Sequence, residues 1–431
     1  MSNSRFQIAD TNWFAARPFD RISASCKCGS SDRPIGEDAI GNPRYEILFV
    51  IDNLKPGGAQ KTLLSLVGAI NTSQVEPVVW CLGGTGPVEH SLSAAGVRVL
   101  RFNRFLIYSG IALLLMARHI RRHRVLLVQS FLFHSDVLSR ILRKLTRVPA
   151  VVASVRSAEI TKPGWKCWLN RRVATWADLT IAVSEDALEF AARREGLRRE
   201  KAVIVMNAVD PASYDPGLRV SAQLLDAGIP PNARVVGTVG RLGPEKAHRS
   251  LLEAFVEVRR RVPDAHLVIA GDGPLRNGLV ALAQRPGLAD RAHVLGFRED
   301  VPRLLGAMDV FCLPSLFEGI SNALLEAMAM ARPCVATDVA GNKALIRDGV
   351  EGILVPPSDT KALAEAIVNL LEDRERATAM GAAARKRVEE EFTIDRMVKG
   401  YEAAYRAALE GKLEGASAPR IFREQREGVN R

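Results

Sequence analysis

A chain of 431 residues, 47% hydrophobic and 25% charged, has the composition of an ordinary globular protein and a length that favours two domains over one. No apolar stretch follows a basic start, and the longest nearly apolar run, Phe105 to Ala117, falls short of the about 20 residues that cross a bilayer, so neither a cleaved leader nor a transmembrane anchor is expected. The net charge of +11 is local: Arg101 to Thr175 holds 15 Lys and Arg against Asp136 and Glu159, which leaves the rest of the chain at −2 and points to a local anionic partner.

Residues 1–44 are polar, rich in Pro, Ser and Gly, and are expected to be a poorly ordered extension. Cys26 and Cys28 form a C-x-C without a second pair, so no zinc site is read there. From Tyr45 strand-length apolar runs alternate with helical patterns. YEILFVID (Tyr45 to Asp52) leads into PGGAQKTLLSLVGAI, a glycine turn opening a helix; VEPVVWCL, VRVLRF, HRVLLVQSF, PAVVASV and LTIAVS follow. This rhythm predicts a doubly wound parallel sheet over residues 45–210. Val209 to Ala233 has linker composition, and the rhythm restarts with RVVGTVGR, AHLVIAGDG, AHVLGF, DVFCLPS, PCVATDV and GILVPP, giving a second α/β domain over 211–390. Cys312 and Cys334 lie in two of these runs and read as small core residues. Asp359 to Leu409 reads as helix, with a charged tail over 411–431.

The basic window carries Trp165, Trp168 and Trp176. If KPGWKCWLNRRVATW (Lys162 to Trp176) is helical, Trp165, Trp168 and Leu169 share a side, flanked by Lys166, Arg171 and Arg172. That pattern suits an anionic membrane surface, and equally a solvated basic face beside a tryptophan core; nucleic acid fits it least. The expected location is the cytoplasm, with room for peripheral association at the inner face of the membrane.

Open parallel sheets bind ligands beyond the carboxyl ends of their strands, and the chemistry-bearing motifs follow strands here. In PSLFEGISNALLEAMAM, DVFCLPS is the strand and SNALLEAMAM the helix. A helix beginning near Ile320 to Asn322 presents free N–H groups to a phosphate, with Ser321 and Asn322 at the turn and Gly319 allowing close backbone approach. Glu318 and Glu326 lie eight residues apart, roughly 12 Å along a helix, and would flank the phosphate. Two hydroxyl-binding carboxylates around a diphosphate fit a nucleotide sugar. In VGRLGPEK, Arg241 and Lys246 supply positive charge where a departing diphosphate develops negative charge. PGGAQ places Gly57 and Gly58 before another helix N-terminus and is neither a Walker loop nor a dinucleotide fingerprint. No D-x-D occurs, so no metal site and no cofactor are expected, the neutralising falling to Arg241, Lys246 and a helix N-terminus.

At these residues the chain resembles a family-4 retaining glycosyltransferase of the GT-B class, of the kind that acts in bacterial polysaccharide or glycolipid assembly. The resemblance runs from about Tyr45 to Leu409. Its most specific part is EGISNALLE, supported by GRLGPEK, AGDGP, GFREDVPRLLGAMDVFCLPSLFEG, ATDVAGNKALIRDGVEGILVPP, AVSE and NAVD. It implies two Rossmann-like domains facing a cleft, with a helix over 391–410 crossing back to the first domain. It implies that Glu318 contacts sugar hydroxyls, Glu326 the ribose, Arg241 and Lys246 the diphosphate, and Gly58 the phosphate or acceptor. The chain departs from the family pattern at Ala247, Ala208 and Ala340, where glycine is frequent. A strand-end histidine common in the family aligns with Arg156 in VVASVRSAE, and His134 in FLFHSD is a further candidate near the cleft. The activity implied is metal-independent sugar transfer to a glycan or lipid-linked acceptor by front-face attack. A sugar-nucleotide epimerase, a phosphorylase and a non-catalytic binding protein are the alternatives on the same fold.

Overall fold

The computed structural model describes residues 45–410 except 73–74, 85, 103–109, 158–161 and 219–226. The extension 1–44 with Cys26 and Cys28, and the tail 411–431, lie outside the described residues. Seven parallel strands form the first sheet: β1 (Tyr45–Ile51), β2 (Val75–Cys81), β3 (Arg98–Arg101), β4 (Val125–Phe131), β5 (Ala150–Val155), β6 (Leu179–Ala182) and β7 (Ala202–Ile204), in the order β3-β2-β1-β4-β5-β6-β7. Six more form the second: β8 (Arg234–Val239), β9 (Ala265–Ala270), β10 (Ala292–Gly296), β11 (Val310–Leu313), β12 (Cys334–Thr337) and β13 (Gly352–Val355), in the order β10-β9-β8-β11-β12-β13. Helices cover both faces of such sheets, which is why β4 and β9 are buried at every position and read as unbroken apolar runs. The fold is GT-B: two Rossmann-like domains.

In each sheet the order reverses once, between β1 and β4 and between β8 and β11. A crevice opens at such a switch point, beyond the carboxyl ends of the strands. Two helices start there. α1 (Gly58–Ala69) follows β1. Later in the first domain come α2 (Ile111–Arg122), α3 (Phe133–Leu145) and α4 (Gly164–Val173), and α5 (Asn322–Ala329) follows β11 in the second.

The helical stretch 359–409 is three helices, Thr360–Glu372, Arg374–Glu391 and Ile394–Leu409. Asp359 caps its start, and Asp373 and Thr393 interrupt it, because each turns its side-chain oxygen onto the first free N–H groups of the following helix. The last helix, α6 (Ile394–Leu409), buries Met397, Val398, Tyr401, Ala404, Tyr405 and Ala408 on one stripe. That stripe packs into the core of the first domain, with Leu63, Leu66 and Val67 of α1. The chain therefore passes between domains twice, and the two passages touch: Val209 N–H donates to Phe392 C=O at 3.0 Å and Val209 bridges to Thr393. Among the described residues no helix is long and apolar enough to cross a membrane.

The two tyrosines of α6 make opposite demands. Arg156 Nη1 donates to the Tyr401 hydroxyl at 3.1 Å, whereas the buried Tyr405 hydroxyl has no partner among the described residues. Tyr401→Phe should destabilise by about 1–2 kcal/mol, and Tyr405→Phe should be neutral or slightly stabilising. Chemical denaturation of the two variants checks this, and equal losses would overturn the assignment of the hydroxyls.

Candidate active site at the domain interface

The loop between β11 and α5 carries Ser315, Glu318, Gly319, Ile320 and Ser321. Ser321 is the N-cap of α5, its Oγ accepting from Leu324 N–H at 3.4 Å. The Glu318 carboxylate accepts from Ser315 Oγ at 2.7 Å and pairs with Lys246 Nζ. Glu326, on the second turn of α5, pairs with Lys61 of α1 in the other domain. Lys61 also donates to the Tyr214 hydroxyl at 3.3 Å. Partial burial opposes the charged Lys61, but the Glu326 carboxylate and Tyr214 outweigh it and hold the ammonium above its ordinary range. Burial and the same carboxylate push the Tyr214 hydroxyl up. The two glutamates thus stand on either side of the start of α5, each answered by a lysine, one from each domain.

The α5 N-terminus meets the α1 N-terminus. Asn322 Nδ2 donates to Gly58 C=O at 3.3 Å. A Cβ on Gly58 would stand 3.5 Å from that amide, and one on Gly57 would meet only the flexible end of Gln60. Gly319 differs from its sequence reading, in which a ligand approaches its backbone. A Cβ there would lie 2.4 Å from Arg156 C=O, so the space is filled by the first domain. Gly341 serves the same loop, since its Cβ would lie 1.7 Å from Gly319 C=O.

Arg241 and Lys246, read from the sequence as converging on one anion, part company. The exposed Arg241 pairs with Glu245 at 2.8 Å, and Lys246 turns to Glu318. The cause is local: Glu245 and Lys246 sit side by side on the turn Pro244–Lys246, which brings a carboxylate within reach of Arg241 four residues back. Ala247, where the family favours glycine, adopts φ +47°, the left-handed region that a side chain disfavours.

Arg156 is a link and not a free cleft group. Its guanidinium donates to Tyr401, to Thr62 Oγ1 at 2.8 Å and to Asn207 Oδ1. Asn207 Nδ2 in turn donates to Ile320 C=O at 2.8 Å, in the loop that opens α5. His134 lies in the first turn of α3 beside the end of β1, its Nδ1 2.8 Å from Asp52 Oδ2. Asp52 also accepts from Ser135 N–H and Oγ at 2.7 Å, which caps α3. Burial would raise the Asp52 carboxyl, but the hydrogen bonds from His134 and Ser135 prevail and hold it below the ordinary value. The His134 side chain is 62% exposed.

Lys61, Tyr214, Asp52, Asn207 and Ser315 were not singled out from the sequence. Asp52 had a signal, a charged residue closing an apolar strand. Asn207 lay inside the quoted NAVD segment. Lys61 and Tyr214 had none, because their partner is in the other domain.

Residues 57–208 match the family model described as glycosyl transferase 4-like domain, and residues 233–373 the one described as glycosyl transferases group 1. The chain is 32% identical over 297 residues to the alpha-maltose-1-phosphate synthase of Mycolicibacterium smegmatis, covering 62% of this chain and 75% of that one. It is 28% identical over 302 residues to the UDP-Gal:alpha-D-GlcNAc-diphosphoundecaprenol alpha-1,3-galactosyltransferase of Escherichia coli, covering 67% and 78%. Among solved structures, Anabaena HepE in complex with UDP and glucose superimposes with a TM-score of 0.74 at 22% identity, over 84% of this chain and 99% of that one.

Next to Lys246 the buried imidazole of His248 has Nδ1 without a partner among the described residues. Burial and the Lys246 charge push it down to about 4. The unfolded chain, with an ordinary histidine near 6.5, binds the proton first, so this contribution to stability is complete above that value and is lost as the pH falls towards 4, by about 1.4 kcal/mol per unit. His266, also pushed down to about 4, adds a loss of the same sign. His248→Gln should therefore flatten part of the fall in Tm between neutral and mildly acidic pH, and a slope unchanged from wild type would refute this.

Proposed function

Because the chain belongs to the group 1, family-4 glycosyltransferases and is a glycosyltransferase, we propose that it moves a sugar from a nucleotide diphosphate to a glycan or lipid-linked acceptor, with retention at the anomeric carbon and without a divalent metal. The observation that carries this reading is the pair of glutamates on either side of the α5 N-terminus, set against the N-terminus of α1. Glu318 accepts from hydroxyls of the transferred sugar and Glu326 from the ribose. The diphosphate lies between them, on the free N–H groups of α5, with Gly57 and Gly58 across from it. Lys246 and Arg241 sit on the loop after β8 that borders this position and take up the charge that develops on the leaving phosphate. Glu245, Glu318 and Glu326 now hold the cations of the site, so donor binding exchanges carboxylate–lysine pairs for carboxylate–hydroxyl and lysine–phosphate pairs at little net change of charge.

Glu318 is committed to sugar hydroxyls, and no carboxylate is assigned as nucleophile. The acceptor therefore attacks from the face the phosphate leaves, and that phosphate takes the acceptor proton. His134, fixed by Asp52, presents Nε2 on the acceptor side and orients the incoming hydroxyl. The names of relatives support this reading: one acts with UDP-Gal on a diphosphoundecaprenol-linked sugar, and the Anabaena protein binds UDP and glucose. The absence of any D-x-D, with Lys246, Arg241 and two helix N-termini available, supports metal-independent neutralisation.

An acceptor at an anionic membrane surface accounts for the basic window. α4 turns Cys167, Asn170 and Val173 inwards and leaves Trp165 and Trp168 each 58% exposed. Arg172 lies over Trp168 at 5.2 Å, and Lys166 over Trp165 at 5.7 Å and over Phe133 at 5.1 Å. Aromatic rings with cations beside them suit the headgroup region, where each Lys or Arg contributes about 1 kcal/mol. The enzyme then works from the cytoplasm, peripherally on the inner face of the membrane.

Glu318→Gln keeps shape and removes the charged acceptor, so transfer from the preferred donor, found by screening UDP-sugars first, should fall about tenfold or more. Wild-type turnover should survive a chelator. Near-normal turnover of Glu318→Gln sinks the donor assignment, and strict Mg²⁺ or Mn²⁺ dependence sinks the metal-free one. The membrane reading has its own test: the protein should sediment with anionic vesicles, be released by salt, and lose binding when Trp165→Ala is combined with Arg171→Glu and Arg172→Glu. Sedimentation indifferent to lipid charge would refute it.

A further inference from the structure

At the opposite rim of the first sheet, away from the switch point, Glu46, His119 and His123 converge. Glu46 is the second residue of β1 and is 6% exposed. α2 ends at its C-cap His123, and Glu46 N–H donates to Arg124 C=O at 3.0 Å, which holds the last turn of α2 beside the start of β1. His119 and His123 are four residues apart, so they share a face of the helix, and their rings stack at 4.1 Å. His119 Nε2 lies 2.6 Å from Glu46 Oε2, and His123 Nδ1 3.2 Å from Glu46 Oε1. The edge of the His119 ring is seated against buried Trp80 at 5.1 Å.

The geometry points to a metal site here: one Zn²⁺, or a divalent ion of similar preference, held by His119 Nε2, His123 Nδ1 and a Glu46 carboxylate oxygen, with water completing the shell. Three arguments support it. The ligand atoms all lie within 4.8 Å of one another, and turning the stacked imidazoles out of parallel would aim both in-plane lone pairs at one ion with bonds of about 2.0–2.2 Å. Two imidazoles and a carboxylate are the donor set that zinc accepts, and the negative end of the α2 dipole favours a cation at this place. Third, charge balance alone does not call for the histidines, because Arg98 Nη2 already answers Glu46 Oε1 at 2.6 Å.

Arg98 is the competitor. It is 41% exposed and has Glu76 at 3.5 Å as a second partner, so it can yield Glu46 to an ion while remaining paired. His119 is 12% exposed and His123 44%, which gives one anchored ligand and one open to solvent for entry. Five residue steps of strand, about 16 Å at 3.3 Å each, separate Glu46 from Ile51 at the cleft end of β1, so the ion is structural: it fixes the end of α2 to β1 and takes no part in transfer.

The test uses the full chain stripped with chelator, titrated with Zn²⁺ by calorimetry and with Co²⁺ by visible absorption. The expected result is one saturable site with a four-coordinate cobalt spectrum and a Tm raised by bound zinc. His123→Ala, a change at an exposed ring that should leave the fold intact by circular dichroism, should weaken binding about tenfold or more and abolish the cobalt band; His119→Gln should do the same. Arg98→Met should bind as tightly as wild type or more tightly. No saturable binding by wild type, or binding that survives both histidine changes, would overturn the site and leave an ion-pair cluster in its place.

Discussion

One buried amide holds the cleft together. Asn207 donates to Ile320 C=O in the second domain and accepts from Thr62 and Arg156 in the first. Through Arg156 it reaches Tyr401 on α6, and through Ile320 it fixes the loop that carries Glu318 and opens α5. A buried amide left without partners is costly, so these elements keep one mutual arrangement while the four groups remain satisfied. Gly319 and Gly341 belong to the same constraint. Gly319 presses against Arg156 C=O and Gly341 against Gly319 C=O, so closely that a side chain at either position has nowhere to go.

The charges of the cleft follow from that geometry. Lys61 comes from α1 and Glu326 from α5, and they meet only because the two helix N-termini are brought together. Half-exposed Lys61 is screened by water, so its pair with Glu326 contributes little to the stability of the interface. Its effect is to hold the Glu326 carboxylate in one orientation at the start of α5. Lys246 does the same for Glu318 from within the second domain. Asp52 repeats the pattern on the other side, capping α3 with one oxygen and fixing His134 with the other.

Much of the fold was legible because parallel strands covered on both faces carry unbroken apolar runs, as in VLLVQSF and AHLVIA. The glutamates at 318 and 326 were legible because their spacing lies within one loop and one helix. Their partners were not: Lys61 is 265 residues from Glu326, and Asn207 is 113 from Ile320. The same distance in sequence hid the Glu46 cluster, where the helical pair His119 and His123 looks like part of a basic surface until β1 supplies the carboxylate 73 residues away. Trp165 and Trp168 could be core or surface from composition alone. Burial of Cys167, Asn170 and Val173 on the inner face of α4 decides it. Arg156 was placed at the right strand end, but a sequence does not show that three acceptors are already arranged around its guanidinium.

The paired crossings at Val209 and Phe392–Thr393 have a mechanical meaning. Two domains joined by one linker can twist, slide and swing. Two linkers bound to each other side by side remove most of those freedoms and leave rotation about a line through the joint. Parting the domains at the mouth, where α1 faces α5, would break the Lys61–Glu326 and Asn322–Gly58 contacts, while the paired linkers oppose shear. Severing the passage at Val209 would still leave the second domain attached through α6, which is embedded in the first domain's core.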